Sequence, residues 1–231
     1  MPTLEDISVV IPVREGSSRV RDKIYLPFGE QKTLVEWKVS QLLEVHDPKK
    51  IFLSSNSQRV ARVAENMGVA FLPRRDYLCE GHKATFSEVI TGIVADVPTA
   101  YFAWVTVVVP LMRPTEYLEA FKIFLDHVVH QRKYDSLMTV NRLKEYLWNS
   151  EAPLNYRADC QHTISQDLPE LFRVTNGLYM RSKEDTLREG YFLGPRPYMH
   201  TVAKLSGIDI DEQEDYEMAL ALKPLYDSNY A

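Results

Sequence analysis

The chain has 231 residues, of which 45% are hydrophobic, and its formal net charge is −5 at pH 7. This length and composition suffice for one domain with a full hydrophobic core, and two cysteines are too few for a disulfide scaffold. The acidic balance argues against a broad surface for nucleic acid or an anionic membrane. We expect a soluble cytoplasmic protein, because the sequence shows neither a long apolar signal sequence nor an apolar run of about 18 residues.

Strands and helices alternate through the first part of the chain. The β-branched run ISVVIPV at residues 7–13 predicts a buried strand, and the polar residues after it predict a loop. The predicted strands cover residues 7–13, 50–54, 69–72, 101–109 and 135–140. The predicted helices begin at residues 33, 57, 87 and 114, and they end before residue 47 and at residues 67, 94 and 129.

The pattern changes between Arg142 and Arg173, where prolines, polar clusters and isolated aromatic residues predict an inserted arm or small sheet. Regular elements then return: strands at residues 177–180 and 208–211, a helical turn at 183–189 and a last helix at 214–222. The alternation predicts one α/β domain over residues 1–231, with an open, mainly parallel sheet covered by helices on both faces. In such sheets, ligands bind beyond the carboxyl ends of the strands.

The loop after the first predicted strand, residues 14–23, combines arginines and a lysine with serines and a glycine. Gly16 allows the backbone to approach a ligand, and cationic side chains such as Arg14 and Lys23 form strong hydrogen bonds to phosphate oxygens. The loop contains neither GxxxxGK[ST] nor GxGxxG. Its composition therefore suits a nucleotide triphosphate, and it equally suits a solvated basic turn.

Two carboxylates, Asp209 and Asp211, stand two positions apart between apolar neighbours. If this segment is a strand, both carboxylates lie on one face while Ile208 and Ile210 point the other way. Such a pair can hold a hard divalent cation. A solvated acidic turn before the last helix is the alternative.

Five segments together resemble a known family. IPVREGSSRVRDKIYLPFGEQKTLVEWKV resembles the start of the cytidylyltransferases that activate sialic acids and related acidic sugars. FLPRRDYL, VVVPLMRPTEYLEAF, SQDLPELF and IDIDEQEDYEMA resemble later motifs of the same family, in the same order. The resemblance covers nearly the whole chain. It implies a Rossmann-like, doubly wound nucleotidyltransferase fold and a homodimer formed through the arm at residues 142–173.

The resemblance also implies a reaction and a site. CMP would be transferred from CTP to the anomeric hydroxyl of a nonulosonic or keto-deoxy sugar acid, with Mg²⁺ as cofactor and pyrophosphate as the second product. Arg14 and Lys23 would neutralise developing charge. The positions that match the family's functional residues are Arg14, Gly16, Ser17 and Lys23 for the triphosphate, Arg74 for the cytosine, and Asp209 and Asp211 for Mg²⁺.

The sugar-binding positions are less regular. The family motif NGAIYI aligns with residues 175–180 either without a gap, which puts Thr175 at the asparagine position, or with a one-residue shift, which restores Asn176. We favour Asn176 near the sugar with Tyr179 beside it. Tyr191 and Phe192 resemble aromatic residues that line the sugar pocket, and such residues are as readily part of a core or an interface.

The chain also departs from the family pattern. Ser18 stands in place of a lysine, Ile24 in place of an asparagine, and Thr106 in place of a sugar-contacting glutamine, while Ile164 and Ser165 replace two arginines. These departures leave open two alternatives. The first is a related nucleotidyltransferase with a different acidic or phosphonate acceptor, and the second is a catalytically weak, nucleotide-binding dimer with a regulatory role.

Overall fold

The computed structural model describes residues 1–17, 19–81 and 83–228. Its strands are β1 (Ile7–Pro12), β2 (Ile51–Ser55), β3 (Ala70–Pro73), β4 (Tyr101–Val105), β5 (Ser136–Leu143), β6 (Leu171–Ser182) and β7 (Pro197–Thr201). Its α-helices are α1 (Leu34–Leu43), α2 (Gln58–Met67), α3 (Phe86–Val94), α4 (Pro114–Ile123), α5 (Lys183–Glu189) and α6 (Gln213–Ser228). None of the helices in these described ranges is long and apolar enough to cross a membrane.

The strands form one seven-stranded sheet in the order β3-β2-β1-β4-β6-β5-β7. Strands β3, β2, β1 and β4 are parallel, β6 runs antiparallel to β4 and β5, and β7 is parallel to β5. The predicted open, mainly parallel α/β sheet is therefore confirmed. Strands β2 and β3 lie on one side of β1, and β4 lies on the other. The strand order therefore reverses between β1 and β4. At such a switch point, the loops that leave the two strands diverge and open a crevice for ligands.

The sheet separates two hydrophobic cores because the side chains of a strand alternate between its faces. Val9 and Ile11 of β1 face the larger core, which α1, α2, α4 and α6 cover. Val10 faces the smaller core, where Ile90 of α3 packs. Helix α5 packs beside α3. The predicted covering of both faces by helices is thus observed.

Local sequence signals place several helix ends. The Thr33 hydroxyl accepts a hydrogen bond from the Glu36 amide at the start of α1, and the Ser57 hydroxyl accepts one from the Arg59 amide at the start of α2. Gly68 ends α2 with φ +70°, a conformation that glycine adopts at low cost. Helix α4 ends as an α-helix at Ile123 and continues as a π-helix over Phe124–His130, where the sequence predicted α-helix.

The predicted strand at residues 101–109 ends at Val105 in the structure, and the apolar residues that follow form a buried loop. Side chains of α1 hold this loop by its backbone carbonyls. Trp37 Nε1 and Gln41 Nε2 each donate to Pro110 O at 2.8 Å, and Lys38 Nζ donates to Val109 O at 2.7 Å. These bonds satisfy buried carbonyl groups that a sheet ladder would otherwise have to pair.

The predicted strand at residues 208–211 is wrong. A 3₁₀ turn at Leu205–Gly207 leads into these residues, which lie outside every strand of the described sheet. Their backbone is bound instead by neighbouring loops: the Ile210 amide donates to Val108 O at 2.8 Å. The Ile210 side chain is fully buried while Asp209 and Asp211 are half-buried. The carboxylates are therefore held by a loop that packs on the core.

Strands β5 and β6 extend beyond the rest of the sheet and carry the predicted arm. Arg142 pairs with Phe172 and Leu143 with Leu171, so both ends of the predicted range belong to strands. Residues 144–170 between them are mostly exposed and contain an isolated bridge between Trp148 and Pro153 and a 3₁₀ turn. The segment forms an irregular arm rather than a small sheet.

Candidate active site

The predicted site residues meet along one edge of the sheet. Strands β1, β2, β3 and β4 are parallel and end there at Pro12, Ser55, Pro73 and Val105. Arg14, Arg74 and Thr106 follow within two residues of three of these strand ends. Because β6 is antiparallel, its residues next to Thr106 are in the middle of that strand, and the Thr106 hydroxyl donates to Asn176 O at 2.7 Å.

The basic loop begins with an exposed arginine and a left-handed glycine. Gly16 has φ +78°, and a Cβ added there would have open space around it, so the backbone angle is what favours glycine. The Arg14 guanidinium lies against Gly81 in the loop after β3, where a Cβ would be 2.5 Å from Nη1. Arg14 therefore reaches from the carboxyl end of β1 toward the loop after β3.

Glu15 anchors this loop, and the sequence interpretation missed it. Its carboxylate accepts hydrogen bonds from Ser57 Oγ at 2.6 Å and Tyr25 Oη at 2.5 Å. These bonds lower the pKa of Glu15, since they stabilise its charged form. Arg59 stacks on the Tyr25 ring at 3.4 Å. The signal that could have pointed to Glu15 is an acidic residue directly after Arg14 in a loop rich in cationic residues.

Lys23 links the basic loop to the loop that carries Asp209 and Asp211. Its side chain is buried, Nζ donates to Ile210 O at 2.5 Å, and Nζ lies 3.6 Å from Asp211 Oδ1. The 3₁₀ turn Lys23–Tyr25 fixes this position. A fixed ammonium beside two carboxylates is the arrangement that can hold the phosphates of a metal-bound nucleotide.

Asp209 is a carboxylate with one free oxygen. Its Oδ2 accepts a hydrogen bond from Asn176 Nδ2 at 3.1 Å, and its Oδ1 is buried with no hydrogen-bond partner in the part of the chain that the structure describes. Burial raises the pKa of Asp209, and the charge of Asp211 raises it further. An unpaired buried carboxylate oxygen is costly unless a ligand completes it.

This donor set fits Mg²⁺. The ion takes hard oxygen ligands, and proteins usually supply one or two carboxylates while phosphates and water complete the octahedron. Asp209 Oδ1 is an available ligand of that kind, and Asp211 is its neighbour in the same loop. Within the described ranges there is no cluster of three or more histidine, cysteine, aspartate or glutamate residues that could hold a metal. The remaining ligands of the metal would then be substrate phosphates and water.

Asn176 and Tyr179 lie together beside Asp209. Asn176 has φ +59°, a left-handed conformation in which asparagine is more common than most residues. Tyr179 Oη donates to Asn176 Oδ1 at 3.2 Å, and burial raises the pKa of Tyr179 to about 12. The neutral phenol therefore orients the Asn176 amide, which in turn donates to Asp209. Thr175, the alternative in the ungapped alignment, is buried and shares a hydrogen bond with Thr139 at 2.7 Å.

The two aromatic residues predicted for the sugar pocket differ in their surroundings. Phe192 is 2% exposed and belongs to the smaller core, where it stacks on Tyr179 with ring centroids 4.1 Å apart. Tyr191 is 41% exposed and stacks on the outer side of Phe192 at 4.6 Å. Phe192 is thus a core residue that packs against Tyr179, and Tyr191 is partly exposed to solvent.

Arg74, predicted near the cytosine, is buried at the end of β3. Its Nη2 donates to Val13 O at 2.7 Å and its Nε to Cys79 Sγ at 2.9 Å. Burial lowers the pKa of Arg74 from its ordinary value, although an arginine stays charged. The side chain joins the ends of β1 and β3, so in this structure it ties the loops at these two strand ends together.

The departures from the family pattern lie in different places. Ile24 is buried in the larger core, and Ile164 and Ser165 are exposed on the arm. Thr106 uses its hydroxyl to bind β6. Ser18 lies outside the described residues. The replaced arginines therefore belong to the arm and not to the edge of the sheet.

The open sheet with a basic loop and carboxylates at its switch point is the architecture with which α/β proteins bind nucleotides. A family model described as cytidylyltransferase matches residues 8–226. The chain belongs to the cytidylyltransferase family, as its sequence motifs implied.

Two N-acylneuraminate cytidylyltransferases show the relationship by sequence. The one from Escherichia coli O18:K1:H7 is 23% identical over 227 residues, which are 94% of this chain and 52% of that protein. The one from Streptococcus agalactiae serotype V is 26% identical over 216 residues, 90% of this chain and 51% of that protein. The chain thus spans about half the length of these relatives.

Solved structures show the same fold. CMP:2-keto-3-deoxy-manno-octonic acid synthetase complexed with CTP aligns with a TM-score of 0.64 and 14% identity, over 95% of this chain and 99% of that one. The 4-diphosphocytidyl-2C-methyl-D-erythritol synthase from Anaerococcus prevotii aligns with a TM-score of 0.58 and 15% identity, over 94% and 96%. At these identities the likeness concerns the fold alone.

Proposed function

We propose that this protein is a Mg²⁺-dependent cytidylyltransferase that transfers CMP from CTP to the anomeric hydroxyl of an acidic sugar and releases pyrophosphate. Membership of the cytidylyltransferase family supports the reaction class. The observation that carries the proposal is the meeting of Lys23 with the Asp209 and Asp211 loop at the switch point. There the Lys23 ammonium, from the start of the chain, lies close to the two carboxylates, from near its end.

Contacts among the site residues support a division of roles. Arg14 and Lys23 of the basic loop bind and orient the triphosphate, Asp209 and Asp211 hold the metal, and Asn176 fixes the Asp209 carboxylate. When bound, Mg²⁺ would neutralise charge on the phosphate oxygens. The protein's own task is to align the acceptor hydroxyl with the α-phosphate and to stabilise the charge that develops on the leaving pyrophosphate.

A direct assay tests this proposal. The purified protein is incubated with CTP, Mg²⁺ and a panel of acidic sugars, and pyrophosphate release is measured. Turnover with a nonulosonic or keto-deoxy sugar acid supports the proposal. CTP binding without turnover on every sugar of the panel overturns the sugar-acid assignment.

A small phosphonate is the second candidate acceptor, and the panel therefore includes one. The residues at the positions of two family arginines, Ile164 and Ser165, are exposed and carry no charge. An acceptor at this position would be bound without those two positive charges. Turnover with the phosphonate alone would establish this second activity.

Replacing Lys23 with methionine is expected to weaken CTP binding about tenfold to a hundredfold, because one charged hydrogen bond to a phosphate contributes roughly 1.5–3 kcal/mol. Methionine keeps the length of the buried stem. Isothermal titration with CTP measures the change. The matched control is Lys32→Met, which removes an exposed lysine outside the basic loop. An unchanged CTP affinity in Lys23→Met would contradict the assignment of the loop.

We also propose that two copies associate through the arm. Tyr146, Trp148 and Tyr156 form an aromatic cluster there, with Tyr146 and Tyr156 ring centroids 4.7 Å apart and Trp148 56% exposed. Exposed aromatic clusters of this kind are typical of interface anchors.

Replacing Trp148 with serine is expected to raise the dimer dissociation constant at least about tenfold, because a central tryptophan often contributes about 2 kcal/mol or more to an interface. Sedimentation equilibrium over a range of concentrations measures it. Leu225→Ala, which removes an exposed apolar residue on α6, serves as the control. A monomeric wild-type protein would contradict the dimer.

A further inference from the structure

Arg19 makes a contact that the sequence pattern did not assign. Its Nη2 donates to Asp211 Oδ1 at 2.5 Å, and its Nη1 lies 3.7 Å from Glu212 Oε1. The neighbouring cation on the same loop behaves differently: Arg21 is 97% exposed and lies 3.9 Å from its own neighbour Asp22. Arg19 is thus docked on Asp211, and Arg21 extends into solvent.

The docked guanidinium occupies a proposed metal ligand. Asp211 Oδ1 receives the Arg19 hydrogen bond and lies 3.6 Å from Lys23 Nζ, so two cations face this one oxygen. Asp209 differs, since its Oδ1 has no hydrogen-bond partner among the described residues. A guanidinium hydrogen-bonded to this oxygen places a positive charge where a divalent cation would bind, so Arg19 and the metal compete for Asp211. Departure of Arg19 therefore favours metal binding at Asp211.

The contact is suited to exchange. The Arg19 and Asp211 side chains are 53% and 49% exposed, and ion pairs of such exposure are weak because water competes for both charges. Arginine binds phosphate at least as well as carboxylate, through the same planar fork of N–H donors. The loop that carries Arg19 is also the loop proposed to bind the triphosphate.

We propose that Arg19 is a nucleotide-binding residue with a resting position on Asp211. Without substrate it neutralises the carboxylate, and when CTP arrives it moves to the triphosphate and leaves Asp211 Oδ1 to the metal. This inference rests on the proposed function. Its consequence is that metal alone binds poorly, while nucleotide and metal assist each other's binding, since each is linked to the release of the same contact.

Two binding measurements test this without turnover. The first titrates Mn²⁺ alone, followed by its electron paramagnetic resonance signal, into wild type, Arg19→Gln and Arg21→Gln. Arg19→Gln is expected to bind Mn²⁺ about three- to tenfold more tightly than wild type, because a competing positive charge is removed. Arg21→Gln, with its exposed side chain, is expected to match wild type.

The second measurement titrates CTP in the presence of EDTA. Arg19→Gln is expected to bind CTP several-fold more weakly than wild type, since a phosphate contact is lost, while Arg21→Gln is unchanged. Wild-type CTP binding with no change in either titration for Arg19→Gln overturns the inference and leaves the proposed function standing. An equal change in both variants also overturns it, because loop charge alone would then explain the effect. A wild-type protein that does not bind CTP overturns the proposed function and the role of Arg19 with it.

Discussion

Replacing Asp209 with asparagine is expected to lower metal-dependent turnover on the order of a thousandfold, because a lost carboxylate ligand removes several kcal/mol of charge stabilisation from the reacting phosphates. Pyrophosphate release at saturating CTP measures the loss. Asparagine has nearly the same shape as aspartate. Its amide oxygen can take the place of Asp209 Oδ2 and accept the hydrogen bond from Asn176. We expect the folded structure to be retained.

The stability of this variant separates chemistry from folding. The charge of Asp209 is partly buried and its Oδ1 lacks a hydrogen-bond partner within the described ranges. Removing that charge should therefore leave the free energy of unfolding unchanged or raise it. Glu214→Gln neutralises an exposed carboxylate at the start of α6 and is the matched control. Full metal-dependent turnover in Asp209→Asn would show that the metal lies elsewhere.

The second large effect concerns Lys38, which is fully buried under the loop after β4. Its Nζ donates to Gln41 Oε1 at 2.8 Å and to Val109 O and Tyr117 Oη at 2.7 Å. Burial lowers the pKa of Lys38 from 10.5 to about 7, against a smaller opposing effect from Glu116. In the unfolded chain the lysine keeps its proton up to its ordinary pKa.

The sign of the pH dependence follows. Between the folded pKa of about 7 and the unfolded value of 10.5, the unfolded state binds more protons than the folded state. The contribution of Lys38 to stability therefore rises with pH across this window, by about 2 kcal/mol between about pH 7 and about pH 9. Below the folded pKa the cost of burying the charge is fully present.

Urea unfolding of wild type and Lys38→Met over this pH range measures the effect. We expect the free energy of unfolding to rise by about 2 kcal/mol less in Lys38→Met than in wild type. Lys122→Met, which removes an exposed lysine on α4, should keep the wild-type slope. Equal slopes in wild type and Lys38→Met would show that Lys38 stays protonated throughout, held by its three acceptors.

Much of the fold could be predicted because its signals are local. The β-branched run of β1, the caps Thr33 and Ser57 and the terminal Gly68 each act within a few residues. The end of β4 could not be predicted, since residues 107–112 are as apolar as a strand. What removes them from the sheet is a set of hydrogen bonds from Trp37, Lys38 and Gln41 on α1.

The candidate site shows the same division. The resemblance pointed to Lys23, Asp209 and Asp211 as separate pieces of sequence, and the structure brings them together. The resemblance could not predict the contact between Arg19 and Asp211, which are 192 positions apart. The charge pattern of the sequence shows that the loop is basic. Which of its arginines contacts Asp211 depends on how the folded chain brings the two segments together.

Strand β6 sets a limit on how the protein can vary in length. The same twelve-residue strand, Leu171–Ser182, leaves the arm at one end and carries Asn176 and Tyr179 past Asp209 on its way through the sheet. Asn176 lies where the register between β5 and β6 shifts, between the pairs Val140–Val174 and Met138–Tyr179. Adding or removing a residue there would change the bulge that aims the Asn176 side chain at Asp209. Insertions at the tip of the arm leave that register intact. Homologous chains should therefore differ in length at the arm tip and keep β6 constant.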